Sequence, residues 1–449
     1  MNTWAAYQTV ACRLMARTSL YQRGGAIGFR DQLQDGVNML LVSPEFAKER
    51  ILDACRHQYA EGDVMHWWHA HPKGDRGVRT HCSDDLLWLV WALCEYTEKT
   101  GDYAICDIPL PFMLSLPLEK NQKDRYETPE SGTDTAAVTE HARAALEMCI
   151  SRGFGAHGLP RMGSGDWNDA LSCVDGESVW LGWFMAHCAR RFAALLKKLG
   201  DKGAKRYENL ARRLAADTDK AWAGRWYCRA YFADGEALGG AERIDSVAQS
   251  WAVLSDTVET GNRPQVALDS ALRSLVDRKH KIVRLFDPPY TADERYAGYI
   301  AGYGEGFREN GGQYSHGAIW LAMAAFRLGR HEDAWEILSM LLPQNHDLNR
   351  YAAEPFVLAA DVYSAKGREG EAGWTWYTGS AGWYFRAVYE EMLGLKLKEG
   401  RLSVSPRLPA AFEKCTVYWT DGAGVSHEIA IDRQSVKVDG KNYKGEPIG

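Results

Sequence analysis

The chain has 449 residues, 46% of them hydrophobic and 25% charged, ordinary globular values that exclude a disordered, collagenous or fibrous chain. Its formal net charge of −6 provides no basic field to hold a polyphosphate, which argues against nucleic acid as a partner. At roughly 150 residues per domain the length allows about three domains, or one large domain with an appendage.

The 17 Trp and 21 Tyr are a heavy aromatic load, suited both to stacking on sugar rings and to filling a core. Ten Cys occur without a C-x-x-C pair or regular spacing, the pattern of reduced, mostly buried thiols and not of a zinc ribbon or a disulfide framework. The N-terminal stretch 1–20 carries Arg13 and Arg17 inside its apolar pattern and lacks the core of a signal peptide. The longest apolar run, 86–94, has nine residues, far short of the roughly 20 that span a bilayer. These features describe a soluble, cytoplasmic protein.

Up to about residue 394 the dominant period is helical. Ser83-Asp84-Asp85 is a helix-start signal before Leu86, Leu87, Leu89, Val90 and Leu93, and Gly101 is the expected stop. Further helical tracts cover 179–199, 206–222, 247–258, 317–328, 332–342, 355–364 and 380–393, several bounded by Gly. Helices in hairpin succession without intervening strands predict a solenoid or a closed α/α barrel, and the lack of a fixed-period repeat favours the barrel. Two Gly-rich stretches, 66–82 and 153–168, resist the helical pattern and read as loops that carry a site. From residue 395 the texture changes to short alternating segments, with Asp421-Gly422 and Asp439-Gly440 as hairpin turns. A small β-domain is predicted there.

Several motifs combine residue types that suit sugar chemistry. Gly165-Asp166-Trp167-Asn168-Asp169 places two carboxylates around an indole, and an apolar wall can keep a carboxylic acid protonated for donation to a glycosidic oxygen. The same run serves equally well as an Asx-turn or helix cap. His66-Trp67-Trp68-His69 with His71 lacks the spacing of a zinc site. Arg76-Gly77-Val78-Arg79-Thr80 followed by Asp84-Asp85 offers guanidiniums for an oxyanion and carboxylates for hydroxyls, or a surface salt-bridge network. Arg308-Glu309-Asn310-Gly311-Gly312-Gln313-Tyr314-Ser315-His316 gathers three charge types in one Gly-rich turn. Trp374-Thr375-Trp376-Tyr377-Thr378-Gly379-Ser380 brings aromatics to a helix N-terminus, a favourable place for phosphate.

Taken together, with Gly28-Phe29-Arg30-Asp31-Gln32-Leu33-Gln34-Asp35 and Glu177-Ser178-Val179-Trp180-Leu181-Gly182-Trp183, these motifs resemble glycoside hydrolase family 94, the cellobiose and chitobiose phosphorylases. The branch most closely resembled holds the phosphorylase-like domain of cyclic β-1,2-glucan synthase and the β-1,2-oligoglucan phosphorylases. The resemblance implies an (α/α)6 barrel over 1–394 and a β-domain over 395–449, without the family's usual N-terminal β-sandwich. It implies inverting phosphorolysis of β-linked glucooligosaccharides to α-glucose 1-phosphate, with inorganic phosphate as co-substrate and no cofactor or metal.

Carried over motif by motif, the resemblance makes Asp169 the general acid. It places Arg79, Asp85, Asp166, Trp167, Arg308, Glu309 and Trp376 at the sugar, and Arg79, His316, Thr378 and Gly379 at the phosphate. Only one catalytic carboxylate is then required, because phosphate attacks without the base that water needs. A disaccharide phosphorylase, an inverting β-glucan hydrolase and a non-catalytic glucan-binding module are the alternatives. A homodimer, or association with an N-terminal region, is a further expectation.

Overall fold

A computed structural model describes residues 3–17, 25–119, 121–173, 175–258 and 261–449. Residues 1–2 and 18–20 of the N-terminal stretch read above lie outside these. Thirteen α-helices are present among the described residues: α1 (Trp4–Tyr7, continued as a π-helix over Gln8–Leu14), α2 (Phe29–Asn38), α3 (Pro44–Arg56), α4 (Asp85–Thr100), α5 (Val138–Ser151), α6 (Val179–Lys198) and α7 (Ala204–Asp219). They are followed by α8 (Ser246–Leu254), α9 (Arg263–Ser274), α10 (Ser315–Arg327), α11 (His331–Met340), α12 (Leu348–Tyr351) and α13 (Ser380–Arg386, continued as a π-helix over Ala387–Met392).

Hydrophobic patterning separates two classes of helix. In α10 every residue from Ser315 to Phe326 is buried, and α4 is buried from Asp85 to Thr97; a helix apolar all round belongs inside. In α7 only Ala204, Tyr207, Ala211, Leu214 and Thr218 are buried, steps of three and four that make one stripe. Packing follows these classes. α2 packs on α4, α4 on α6, α6 on α8, α8 on α10, α10 on α13 and α13 back on α2. Helices α3, α5, α7, α9 and α11 each pack on the member of this cycle that precedes them in the chain, and α1 packs on α13.

Tryptophan fills the middle of the cycle. Trp88, Trp180 and Trp320 are wholly buried, and the Trp320 ring lies 5.3 Å from Trp251 in a T-shaped pair and 6.4 to 6.5 Å from Trp180 and Trp88 in parallel stacks. Much of the aromatic load therefore serves the core. All ten Cys are free of disulfides, nine of them buried, as their spacing predicts.

The connections differ from the expected plain helical hairpins. Met65–His69 and Arg76–Thr80 form a β-hairpin flanked by Ile27–Gly28 and Asp124–Glu127, and Pro109–Leu114 pairs with Glu130–Ala137. Two-residue strands stand directly before the inner helices: Glu177–Ser178 before α6, Ile244–Asp245 before α8 and Gln313–Tyr314 before α10. Each is fixed by an antiparallel partner, so the N-terminal ends of the inner helices are held by backbone ladders. Segment 355–364, predicted helical, is instead a turn leading to Asp361–Val362, the partner of Gln313–Tyr314. Backbone pairing overrides its weak helical propensity.

After Gly394, Leu395–Lys398 pairs with Arg401–Val404, and a meander runs through Lys414–Thr420, Ser426–Asp432, Val436–Val438 and Lys441–Asn442. Ile429 and Ile431 are buried while the residues between and beside them stay partly open. This is the period-2 pattern of a one-faced sheet.

Candidate active site

The starts of α2, α10 and α13 and the loop ahead of α6 border a cavity of about 350 Å³. Arg30 and Asp31 reach it from the start of α2, Trp167 and Asp169 from the loop ahead of α6, Glu309 from the turn ahead of Gln313–Tyr314, His316 from the start of α10, and Thr378 and Gly379 from just ahead of α13. Segments more than 300 residues apart in the chain thus share one space. The ladders described above keep their spacing fixed.

Asp169 is the most open of the acids predicted for the site, its side chain 47% exposed, and its Oδ1 accepts a hydrogen bond from Arg30 Nη2 at 2.5 Å. Arg30 is anchored from behind, where its Nη1 donates to Asp84 at 2.9 Å and to the Asp166 carbonyl at 3.1 Å. Trp167 stands edge-on to His316, ring centres 5.1 Å apart, and rests on Trp320 at 4.7 Å. The floor of the cavity is therefore continuous with the tryptophan core.

Gly379 closes against the His316 imidazole. A Cβ at residue 379 would lie 3.0 Å from His316 Nδ1, so glycine is what allows the approach. Burial, reinforced by the charges of Arg13 and Arg30, holds His316 well below its ordinary titration range. The ring is neutral and carries one N–H donor and one acceptor. Its Nε2 is buried without a protein partner. The Thr378 hydroxyl lies 3.0 Å from that of Ser380. Arg13, tied to Asp31 at 2.8 Å, joins Arg30 and Arg308 as a third guanidinium of the lining. Burial raises the Glu309 carboxyl despite the neighbouring Arg308 at 3.4 Å.

Among the residues predicted for the site, Asp169, Trp167, Arg308, Glu309, His316, Thr378 and Gly379 border the cavity. Four others lie outside its lining. Arg79 is 1% exposed and not part of the lining: its Nε and Nη2 donate to Asp63 at 2.9 and 2.6 Å, its Nη1 donates to the Leu116 carbonyl, and its guanidinium lies over Tyr59. Its donors are spent on Asp63, Glu61 and the Leu116 carbonyl. Asp166 is wholly buried, bonded to Arg229 at 2.6 Å and accepting from Ser178 Oγ at 2.7 Å and from the Asn168 amide. It shapes the loop that presents Trp167 and Asp169. Asp85 is also buried, 2.6 Å from His66 Nδ1. Burial opposes protonation of His66, but the Asp85 charge outweighs it and lifts the imidazole to about 9. Trp376 lies outside the lining, its Nε1 donating to Glu354 at 2.8 Å.

The sequence places Arg13 in the N-terminal pattern and Arg30 in a motif without assigning either a role. Both were missed as cavity residues. The signal for Arg30 is its place one residue into a helix that follows a Gly, where a side chain points into the mouth formed by the other helix starts.

Residues 1–394 match the catalytic domain of the glycosyl hydrolase 94 superfamily. The chain belongs to this superfamily. Among curated relatives, cyclic beta-(1,2)-glucan synthase NdvB of Rhizobium meliloti is 41% identical over all of this chain and 16% of its own length. Solabiose phosphorylase of Paenibacillus borealis is 30% identical over 93% of this chain and 52% of its own, and 1,2-beta-oligoglucan phosphorylase of Listeria innocua 24% over 90% and 40%. The glycosyl hydrolase 94 chain described here thus spans about half, or less, of the length of these relatives. Among solved structures, the GH78 rhamnosidase of Bacillus sp. GL1 superposes with a TM-score of 0.62 at 12% identity over 97% of this chain and 40% of its own, a likeness of fold. No described helix is long and apolar enough to cross a membrane.

Proposed function

We propose that this glycosyl hydrolase 94 chain is an inverting phosphorylase of β-linked glucooligosaccharides, β-1,2-glucan foremost, using inorganic phosphate and releasing α-glucose 1-phosphate. In this reading the inner helices and their outer partners are an (α/α)6 barrel over 1–394, and 395–449 is an appended β-domain. The single observation that carries the reading is the meeting of Asp169, His316, Thr378 and Gly379 at one cavity. An acid open to a ligand faces a set of neutral and cationic donors there.

The chemistry follows from these groups. Phosphate held by His316 and the Thr378–Gly379 turn, with Arg13 adjacent, attacks the anomeric carbon from the face opposite the leaving sugar. The glycosidic C–O bond breaks as the new C–O bond to phosphate forms. Asp169 gives its proton to the departing oxygen, and the configuration inverts. Two other carboxylates at the cavity, Asp31 and Glu309, are each paired with an arginine, Arg13 at 2.8 Å and Arg308 at 3.4 Å.

The linkage is supported by the 41% identity to a cyclic beta-(1,2)-glucan synthase. The test is a panel of β-linked glucobioses and short β-1,2-glucans, incubated with and without phosphate. Phosphate-dependent consumption of the β-1,2 series is expected. Consumption of one disaccharide alone would move the assignment to a disaccharide phosphorylase, and phosphate-independent release of glucose would overturn it.

A further inference from the structure

The β-hairpin ahead of α4 carries a group of side chains that the cavity does not use. In its first strand Met65 pairs with Arg79 and Trp67 with Val78, so His66 is the extra residue of a bulge. A bulge re-aims the side chain it carries, and the His66 ring meets Asp85 at the start of α4, Nδ1 lying 2.6 Å from Oδ2. Cys82, between the hairpin and the helix, completes the group. One nitrogen, sulfur or oxygen from each of His66, Cys82 and Asp85 lies within 4.8 Å of the other two. Cys82 is 5% exposed and Asp85 2%, while the His66 side chain, at 19%, is the most open of the three. None of them lines the cavity.

The group has an unfilled valence. Asp85 Oδ1 is buried without a hydrogen-bond partner, and Arg30 Nε, at 3.9 Å, is out of hydrogen-bond reach. A buried acceptor left unpaired calls for an ion or a water. Sulfur, imidazole nitrogen and carboxylate oxygen together are the donor set of zinc and its neighbours, whereas magnesium and calcium take oxygen alone. Around a tetrahedral zinc such donors stand about 3.3 to 3.5 Å apart, so shifts of about 1 Å would seat the ion. Charge also balances. Burial, with Asp85 and Asp84 beside it, pushes the Cys82 thiol up, an effect that a bound dication reverses. A dication that displaces the protons of Cys82 and His66 brings in two charges and expels two. Arg30, 3.9 Å from Cys82 Sγ, then faces no added net charge.

We propose that His66, Cys82 and Asp85 form a binding site for a divalent cation of the zinc class, with water in the fourth position. The spacing within 66–71 gives no sign of it, because two of the three ligands come from beyond the hairpin and are brought in by the fold. The site is independent of the sugar that the cavity takes. Arg30 links the two places, touching Cys82 and Asp85 on one side and Asp169 on the other. The cation would sit one side chain away from the acid.

The test is titration of the full chain, stripped with a chelator, with cobalt(II), whose bond to a thiolate gives a near-ultraviolet charge-transfer band. The wild-type chain should develop the band with one equivalent of cobalt. Zinc should displace cobalt and bleach the band, and magnesium should not. Cys82→Ser should abolish the band. His66→Gln should weaken cobalt binding at least about 10-fold, a loss that even an outer-sphere partner can cause. Cys415→Ser, at the one cysteine that is not buried, should leave the band unchanged. Circular dichroism checks that each variant is folded, and Cys82→Ala replaces Cys82→Ser if the latter is not. Absence of the band in the wild-type chain, its survival without Cys82, or an unchanged cobalt affinity in His66→Gln would each overturn the proposal.

Discussion

Arg229→Met should damage stability and rate together, although residue 229 lies outside the cavity lining. Arg229 is 2% exposed and bridges two carboxylates, Asp166 at 2.6 Å and Asp245 at 3.4 Å, themselves 0% and 3% exposed. Removing one partner of a buried pair leaves an uncompensated charge and costs about 3 to 5 kcal/mol. The freed Asp166 also receives the Asn168 amide, so the turn carrying Asp169 shifts. A displacement near 1 Å at a reacting group costs roughly 100-fold in rate. Adding Asp166→Asn should recover part of the stability, because the amide needs no countercharge, giving a coupling above about 1 kcal/mol for residues in direct contact. The assay is the denaturant midpoint followed by tryptophan fluorescence, alongside the initial rate of sugar phosphate release. A loss below about 1 kcal/mol with the rate intact would refute the reasoning that this pair sets the acid-bearing loop.

Asp169→Asn should bind oligosaccharide normally and lose about 10²- to 10⁴-fold in phosphorolysis, since an amide cannot deliver the proton; steady-state rates against titrated binding separate the two. His316→Ala and Thr378→Ala should raise the phosphate requirement by about 10- to 100-fold with smaller effects on glucan affinity, measured by varying phosphate at fixed glucan. Arg79→Met should instead act on stability, by about 3 to 5 kcal/mol in thermal or denaturant unfolding, because it strands the buried Asp63. His66, raised to about 9 by Asp85, contributes stability that is complete below its ordinary value of 6.5 and is lost as pH rises from there through 9. His66→Gln should flatten the unfolding free energy across that window.

The helices were legible because their periodicity is long and their stops are local. Gly101, at φ +75°, ends α4 where the pattern predicts, and the alternation after residue 395 is realised in the meander. The strands between helices were not legible. Pieces such as Gln313–Tyr314 are two residues long and owe their state to a partner nearly 50 residues away, Asp361–Val362. The site was readable where one short motif supplies both the residue and the turn that presents it, as with Asp169, His316 and Gly379. It failed where long-range partners decide. Arg79 and Asp166 each occupy a promising motif, yet Asp63, 16 residues earlier, and Arg229, 63 residues later, take up their hydrogen bonds. Spacing alone carries no sign of those pairings. Arg13 belongs to the cavity through its contacts with Asp31 and Tyr377, across more than 360 residues in the second case.

The central claim is that Asp169 and the His316–Thr378–Gly379 group act on one anomeric carbon from opposite sides. It is tested most directly by following a short β-1,2-glucan with inorganic phosphate by ³¹P and ¹H NMR. The account predicts a sugar phosphate signal that grows only with phosphate present and carries the α configuration, abolished by Asp169→Asn. A β-configured phosphate, or free glucose accumulating at a rate independent of phosphate, would contradict it.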